Sequence, residues 1–441
     1  MSERNSQTAF RGWLIVGIAA VSQALAVGTT FFSYGVFVKP LAAEFEAPRL
    51  VVILGMTLVM LVQGIVSPGL GRLLDGRSIR TVMTLGAVIC ATGFFGLSFA
   101  TALWQVGLLV GTLIAVGSHM FGPLATSTLI ANWFQQMRGR ALGITAIGAS
   151  IGGLILPVVA TRLLEEFGWR GAVSVFAVLL ALFALPLWLL VIDRPERIGQ
   201  RPDGMPSDAA TRQVEGLGRD ALRESTGDPE AEARAQGSVE RDEEGGAQEP
   251  LLRSRNFWVI TAAIGMAFCS TSTLIAHLVP YATDLGHAPQ SAAFLMSAYA
   301  GSGAVGRLVC GFLADRIDKR FASWIVFGIL TSGWSALVVA PSYPALLVAS
   351  VGMGLGVGGI MPLWGALTGA CFGRARFGQA MGLMTPLMLP FNLLGAPIAA
   401  YAFDQTGSYS LVLSAFLATF FIGAAIIALL RIPAVEPGAA A

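Results

Sequence analysis

Residues 71–80 read GRLLDGRSIR, and residues 311–320 read GFLADRIDKR. Each is a short charged loop that closes an apolar run, and each sets a glycine four residues before an aspartate: Gly71 before Asp75, Gly311 before Asp315. The two loops are 240 residues apart, and other landmarks repeat at nearly that displacement. Pro123 pairs with Pro362 and Ala141-Leu-Gly143 with Ala380-Met-Gly382, both at 239, while Pro157 pairs with Pro397 at 240. Glycine and proline are common in membrane helices, which accounts for single matches but not for a constant spacing. The chain is therefore two copies of one unit.

The composition says where those units lie. Of 441 residues, 55% are hydrophobic and only 12% charged, about half the charged share of a soluble domain. Too few polar groups remain to cover a water-exposed surface, so an ordinary soluble enzyme, a disordered chain and a disulfide-stapled fold are excluded. Nearly half of the charge is gathered in residues 193–254, which hold 15 acidic and 9 basic residues, a net of −6 in a chain whose total is +2. This stretch has few aliphatic residues and reads as a flexible polar linker, with room for one amphipathic helix at 209–223. The predicted organisation is a first half at 1–192, the linker at 193–254 and a second half at 255–441.

A bilayer core about 30 Å thick needs roughly 20 apolar residues per helix. Six such runs precede the linker, at 13–38, 51–70, 81–100, 103–129, 142–161 and 172–191. Six follow it, at 257–281, 292–313, 322–339, 345–367, 380–402 and 411–430. The predicted fold is an all-α polytopic membrane protein of twelve transmembrane helices in two six-helix parallel repeats, with both termini on one side. Orientation follows from lysine and arginine in short loops and termini. Arg4, Arg11, Arg72, Arg77, Arg80, Arg138, Arg140, Arg316, Lys319, Arg320, Arg374, Arg376 and Arg431 share one side; Lys39, Arg49, Arg162 and Arg170 share the other. Thirteen against four makes the termini and the linker cytoplasmic, in an inner or plasma membrane. Arg4 and Arg11 before Ala24-Leu25-Ala26 imitate a secretory signal, but cleavage there would leave eleven helices and the charge pattern unexplained. Cys90, Cys269, Cys310 and Cys371 lie in or beside apolar runs without metal or redox spacing. Two six-helix repeats with a binding site between them near the midplane make a transporter architecture.

The loops at 71–80 and 311–320 resemble the signature loop of the major facilitator superfamily, whose usual form is G-x-L-a-D-r-x-G-R-K. The resemblance implies that Asp75, Arg80, Asp315 and Arg316 belong to a cytoplasmic charge network that latches the outward-facing state. Ser78 and Asp318 stand where the central glycine is usual, and Gly76 replaces a basic residue, which implies a weaker latch in the first half. A narrower resemblance is to the monocarboxylate and oxalate/formate transporter branch. It rests on YGVFVKP (34–40), GASIG (148–152), Trp169-Arg170, HLVPYATDLG (277–286) and GAVGR (303–307), and it implies carboxylate transport.

Arg307 carries the chemistry. It lies eight residues before Asp315, about 12 Å into a core of about 30 Å. A cation there costs from about 3 to more than 10 kcal/mol unless it faces a cavity or a partner. No aspartate or glutamate falls inside an apolar run; Glu44, Asp284 and Asp404 are the nearest, all in loops. The absent partner is then the substrate's own carboxylate, which the planar guanidinium fits in bidentate fashion. The alternative is that Arg307 bonds backbone carbonyls or snorkels to the cytoplasm. In the resembled family the corresponding arginine is the carboxylate ligand. Animal monocarboxylate transporters carry an aspartate one turn earlier; here that place is Gly303, so coupling through such an acid is in doubt. His119 on helix four and His277 on helix seven are the remaining titratable candidates, and the resemblance assigns His277 to the carboxylate site. Helix eleven has no lysine or arginine, only Asn392 at mid-depth, and one fixed positive charge suits a monocarboxylate better than a dicarboxylate. Phe31, Tyr34 and Tyr299 are candidate wall or hydroxyl contacts, ranked lower because aromatic residues in membrane helices are more often packing.

Gly301-Ser-Gly303-Ala-Val-Gly306 fits the G-x-G-x-x-G pattern but sits inside an apolar run, where close helix packing explains it better. Three scattered histidines assemble no catalytic or metal-ligand cluster, and no cofactor or nucleic-acid partner is implied. The expected function is secondary active transport of small organic monocarboxylates by alternating access within the lipid bilayer, with a proton as coupling ion. The alternatives are anion exchange of the oxalate/formate type, export of drugs or neutral solutes, and a membrane sensor whose output is the linker.

Overall fold

The computed structural model describes residues 10–204, 250–339, 342–406 and 410–432. Within lipid every backbone polar group must be bonded inside the chain, and the described residues are helical throughout the apolar runs, with no strand among them. Span one is α1 (Gly12–Val27), a π-helical turn at Gly28–Phe32 and α2 (Tyr34–Glu44). Spans two and three are α3 (Arg49–Gly76) and α4 (Ile79–Leu97); Ser78 between them accepts from the Thr81 amide and caps α4. Span four joins α5 (Leu103–Leu109), a second π-helical turn at Val110–Ile114, α6 (Ala115–Phe121) and α7 (Pro123–Trp133). Spans five and six form α8 (Arg138–Leu190), which turns at Gly168, where φ is +69° and only glycine is at ease. The second half holds α9 (Arg255–Asp284), α10 (Pro289–Arg316), α11 (Lys319–Val339), α12 (Tyr343–Phe372), α13 (Phe377–Thr406) and α14 (Ser410–Ile427). Seven stretches of described residues are long and apolar enough to cross a membrane, Arg138–Leu190 holding two spans in one.

Backbones meet closely where glycines face each other. A Cβ on Gly148 or Gly152 of α8 would collide with the Ala20 or Ala24 carbonyl of α1, and one on Gly358 of α12 with the Gly303 carbonyl of α10. The pattern at 301–306 is thus interior helix packed against α12. The two halves meet through α3 against α13 and α8 against α10. At these seams, Gly71 lies against the Gly378 carbonyl and Gly139 against the Gly311 carbonyl, so tightly that neither has room for a Cβ. Both contacts are at the end of the bundle that carries the charged loops, called here the basic end.

Residues 193–204, the start of the polar stretch, lie against that end in two 3-10 turns, Pro195–Ile198 and Pro202–Gly204. Asp193 accepts from the Arg80 amide at 2.7 Å and pairs with Arg197 at 2.7 Å. Asp203, in the left-handed region at φ +59°, accepts from the amides of Gln135, Gln136 and Met137 at 2.8, 2.8 and 3.1 Å. Those three amides lie in the turn that leads into α8, so one carboxylate satisfies backbone donors that no helix bonds. Glu196 reaches across the seam to Arg374 at 3.0 Å. Residues 205–249, including the candidate helix at 209–223, lie outside the described residues.

Candidate functional site

A cavity of about 370 Å³ lies between the halves. From the first half its wall includes Gln23, Phe31, Phe32, Gln63, Ser118 and His119; from the second, Arg307, Met361, Trp364 and Thr385. Most of the wall is apolar, and the polar groups fall into two sets. Arg307 supplies the single full positive charge among the described lining residues. Across from it the first half presents neutral polar groups, held by their own bonds. The Gln63 amide donates to Ser118 Oγ at 3.1 Å and to the Ala115 carbonyl at 3.3 Å, and the Gln23 amide donates to Thr126 Oγ1 at 2.8 Å. His119 is 8% exposed, and its Nε2 has no hydrogen-bond partner among the described residues.

Arg307 is half-buried on α10. Its backbone carbonyl lies against Gly143 of α8, where a Cβ would collide with it. From there the side chain reaches Ser150 of α8, and Nη1 donates to Ser150 Oγ. Among the described residues no carboxylate pairs with it. Burial of a guanidinium against one hydroxyl leaves most of its five donors for something else. Gly303, one turn earlier, lies 3.9 Å from Arg307 Nη1 at its Cβ position.

The other sequence candidates divide. Phe31 and His119 line the same cavity as Arg307. Tyr34 does not; its hydroxyl donates to the Val52 carbonyl at 2.6 Å, and its ring borders a small apolar void and an apolar groove between α3 and α5. Tyr299 is buried on α10, and Asn392 on α13 donates weakly to its own helix at Met388; neither lines the cavity. His277 falls on α9, and its side chain lies outside the described residues. Ser150 was not singled out by charge or spacing, although GASIG (148–152) carries it between two glycines.

At the basic end, Asp75 accepts from the amides of Gly378 and Gln379 at 2.9 and 2.7 Å, and Asp315 from those of Gly139 and Arg140 at 2.6 and 2.8 Å. Each aspartate thus meets the first turn of a helix in the opposite half. Arg140 adds an ion pair to Asp315 at 3.5 Å. Arg80 lies over the Trp188 ring at 4.6 Å and Arg316 over Phe312 at 4.0 Å, each within its own half. Arg138, buried between the halves, donates to the carbonyls of Phe134 and Ala131.

Twelve helical spans among the described residues, six in each repeat, around a central cavity with a half-buried cation define a membrane transporter. The chain belongs to the Major Facilitator Superfamily, whose family model matches residues 20–331 and 270–441. Among curated relatives, it is 28% identical to monocarboxylate transporter 13 of Rattus norvegicus over 402 residues, 90% of this chain and 84% of that one. It is 30% identical to monocarboxylate transporter 11 of Mus musculus over 422 residues, 92% of this chain and 85% of that one. Among solved structures, the proton:xylose symporter XylE bound to 6-bromo-6-deoxy-D-glucose superposes with a TM-score of 0.67 at 14% identity, covering 95% of this chain and 94% of that one. That likeness establishes the fold. The protein is accordingly a multi-pass membrane transporter related to monocarboxylate transporters, and not an enzyme.

Proposed function

We propose that the protein carries small organic monocarboxylates across a cell membrane by alternating access, with Arg307 as the ligand of the carboxylate. One observation carries this: a cation sits in the cavity between the halves with a hydroxyl, and no described carboxylate, for company. A substrate anion supplies the missing charge, and the largely apolar wall accepts the rest of the molecule. The names of the curated relatives point the same way. Phe31 and His119 complete the site, and His277 joins it from α9. The basic end is cytoplasmic, by the distribution of lysine and arginine. Asp75 and Asp315 latch it shut through the helix starts of the opposite half.

Transport is coupled to a proton, taken up by a histidine of the site or carried on the substrate. Anion exchange is the competing mode, favoured by the absence of an acid among the described cavity residues. Proteoliposomes that contain wild type or Arg307→Ala separate these readings. Labelled lactate, formate and oxalate are supplied with and without an inward proton gradient, or with internal anion. Wild type takes up lactate faster with the gradient, and Arg307→Ala loses at least nine-tenths of the rate. Equal uptake by the two proteins defeats the role of Arg307. Stimulation by internal anion and not by the gradient establishes exchange.

A further inference from the structure

We propose that Ser150 is the second ligand of the substrate carboxylate, supplied by the half opposite Arg307, and that in the empty site its hydroxyl holds the place the carboxylate takes. The carboxylate part of this rests on the proposed role of Arg307; the placeholder part does not.

Ser150 belongs to α8 and Arg307 to α10, so their hydrogen bond crosses the seam between the halves. Ser150 itself is not part of the cavity wall, but its neighbour Ala149 and its partner Arg307 are, so the contact stands at the cavity's edge. Backbone contacts set both ends of it. Gly148 and Gly152, two residues to either side of Ser150, press α8 against the Ala20 and Ala24 carbonyls of α1. At about 100° per residue those glycines lie roughly 200° around the helix from Ser150. Seating them on α1 therefore turns the serine to the opposite side, towards α10. Seven residues before Ser150, Gly143 is packed on the Arg307 carbonyl. The arginine thus leaves α10 at the level of Gly143 and runs outward along α8, which rises about 10 Å over that interval. Two flexible side chains meeting by chance would not be framed by three glycine contacts.

A serine hydroxyl has one donor and two lone pairs, and its hydrogen rotates to suit its surroundings. In the empty site the oxygen accepts from Arg307. When a carboxylate enters, the guanidinium turns its donors to the anion, and the freed hydroxyl rotates to donate to the same anion. Ser150 changes from acceptor to donor with no bond made or broken beyond hydrogen bonds. The substrate then bridges the halves through two ligands where the empty site has one contact. Opening the basic end separates α8 from α10 and breaks the serine contact in either case, so bound substrate and resting serine both favour the closed seam.

Two measurements on the full-length protein in lipid nanodiscs or proteoliposomes test this, using Ser150→Ala, Ser150→Thr and Arg307→Ala. Hydrogen exchange of residues 138–145 without substrate reads the placeholder. Ser150→Ala speeds exchange of the Gly139 and Arg140 amides about fivefold or more, whereas Ser150→Thr leaves it within twofold of wild type. Uptake of labelled L-lactate and benzoate reads the ligand role. Ser150→Ala raises KM about tenfold with the maximal rate within threefold, and Ser150→Thr restores KM. Unchanged KM and unchanged exchange in Ser150→Ala overturn the proposal, as does a threonine variant that behaves like the alanine one while eluting as folded protein. Undiminished uptake by Arg307→Ala overturns the carboxylate reading itself. A change in exchange by Ser150→Ala then still stands as evidence for the resting contact.

Discussion

A guanidinium inside a membrane protein is tolerated when a cavity or partner offsets its desolvation, a cost of about 3 to more than 10 kcal/mol. Arg307 has a cavity, one hydroxyl and, one turn away, Gly303, whose Cβ position lies 3.9 Å from Nη1. The neighbours of that position, Gly354 O at 3.4 Å and Arg307 Nη1 at 3.9 Å, are at ordinary contact distance, so a Cβ is accommodated there. Gly303→Asp places a carboxylate beside the guanidinium and competes with the substrate for it. The expected result is a KM for carboxylate raised about tenfold or more, measured by uptake kinetics against wild type. An unchanged KM would mean that an aspartate at this place does not compete with the substrate for the guanidinium. Of the candidates the sequence offers, Arg307, His119 and Phe31 line the cavity while Tyr34, Tyr299 and Asn392 do not. Charge, titratability and depth, which singled out Arg307 and His119, belong to single residues and are legible in the sequence; which aromatic faces the cavity is not. Ser150 was not legible either, since a serine among glycines has no signature until its neighbour across the seam is known.

The closed end of the bundle rests on elements of unequal strength. Asp75 and Asp315 each accept two amide bonds at a helix start in the opposite half, and a hydrogen bond to a charged group contributes about 1.5–3 kcal/mol. The Glu196–Arg374 pair crosses the same seam at the surface, where exposed ion pairs are worth about 0.2–1 kcal/mol. Asp315→Ala is therefore expected to speed opening of this end more than tenfold and Glu196→Ala less than fivefold, read by hydrogen exchange of residues 138–145 and 377–382. Gly71→Val acts by bulk, since its side chain would meet the Gly378 carbonyl; it should trap the end open and abolish turnover while the protein still folds. Partial burial of the Glu196 carboxyl is the largest single influence and opposes ionisation, but the Arg374 hydrogen bond, a backbone hydrogen bond and the charges of Arg374 and Arg194 together hold it below the usual glutamate value. A depressed value means the contact is complete above about pH 4.5 and fades only as pH falls further. The Glu196→Ala effect should be constant from pH 5.5 to 8, and a change across that range would mean that ionisation of Glu196 does not account for it. The signature loops located Asp75 and Asp315 in advance, but their partners at Gly139, Arg140, Gly378 and Gln379 lie at least 175 residues away in the chain.

For the whole molecule, the polar stretch between the halves has two parts. Residues 193–204 are tied to the first half through Asp193 and Asp203, and these contacts belong to the described part of the stretch. Deleting residues 206–245 should leave uptake within about twofold of wild type. A larger loss would assign that stretch a part in transport. Membrane residence, twelve spans and the twofold repeat follow from apolar length and from the spacing of glycine and proline. Those are properties of short stretches read in one dimension, and lipid allows an apolar stretch almost no structure but a helix. Which side chains share a cavity, which serine meets the buried arginine and which helix start each aspartate closes depend on how helices pack across the seam. No local property of the chain encodes those meetings; glycine contacts between distant backbones fix the register from which they follow.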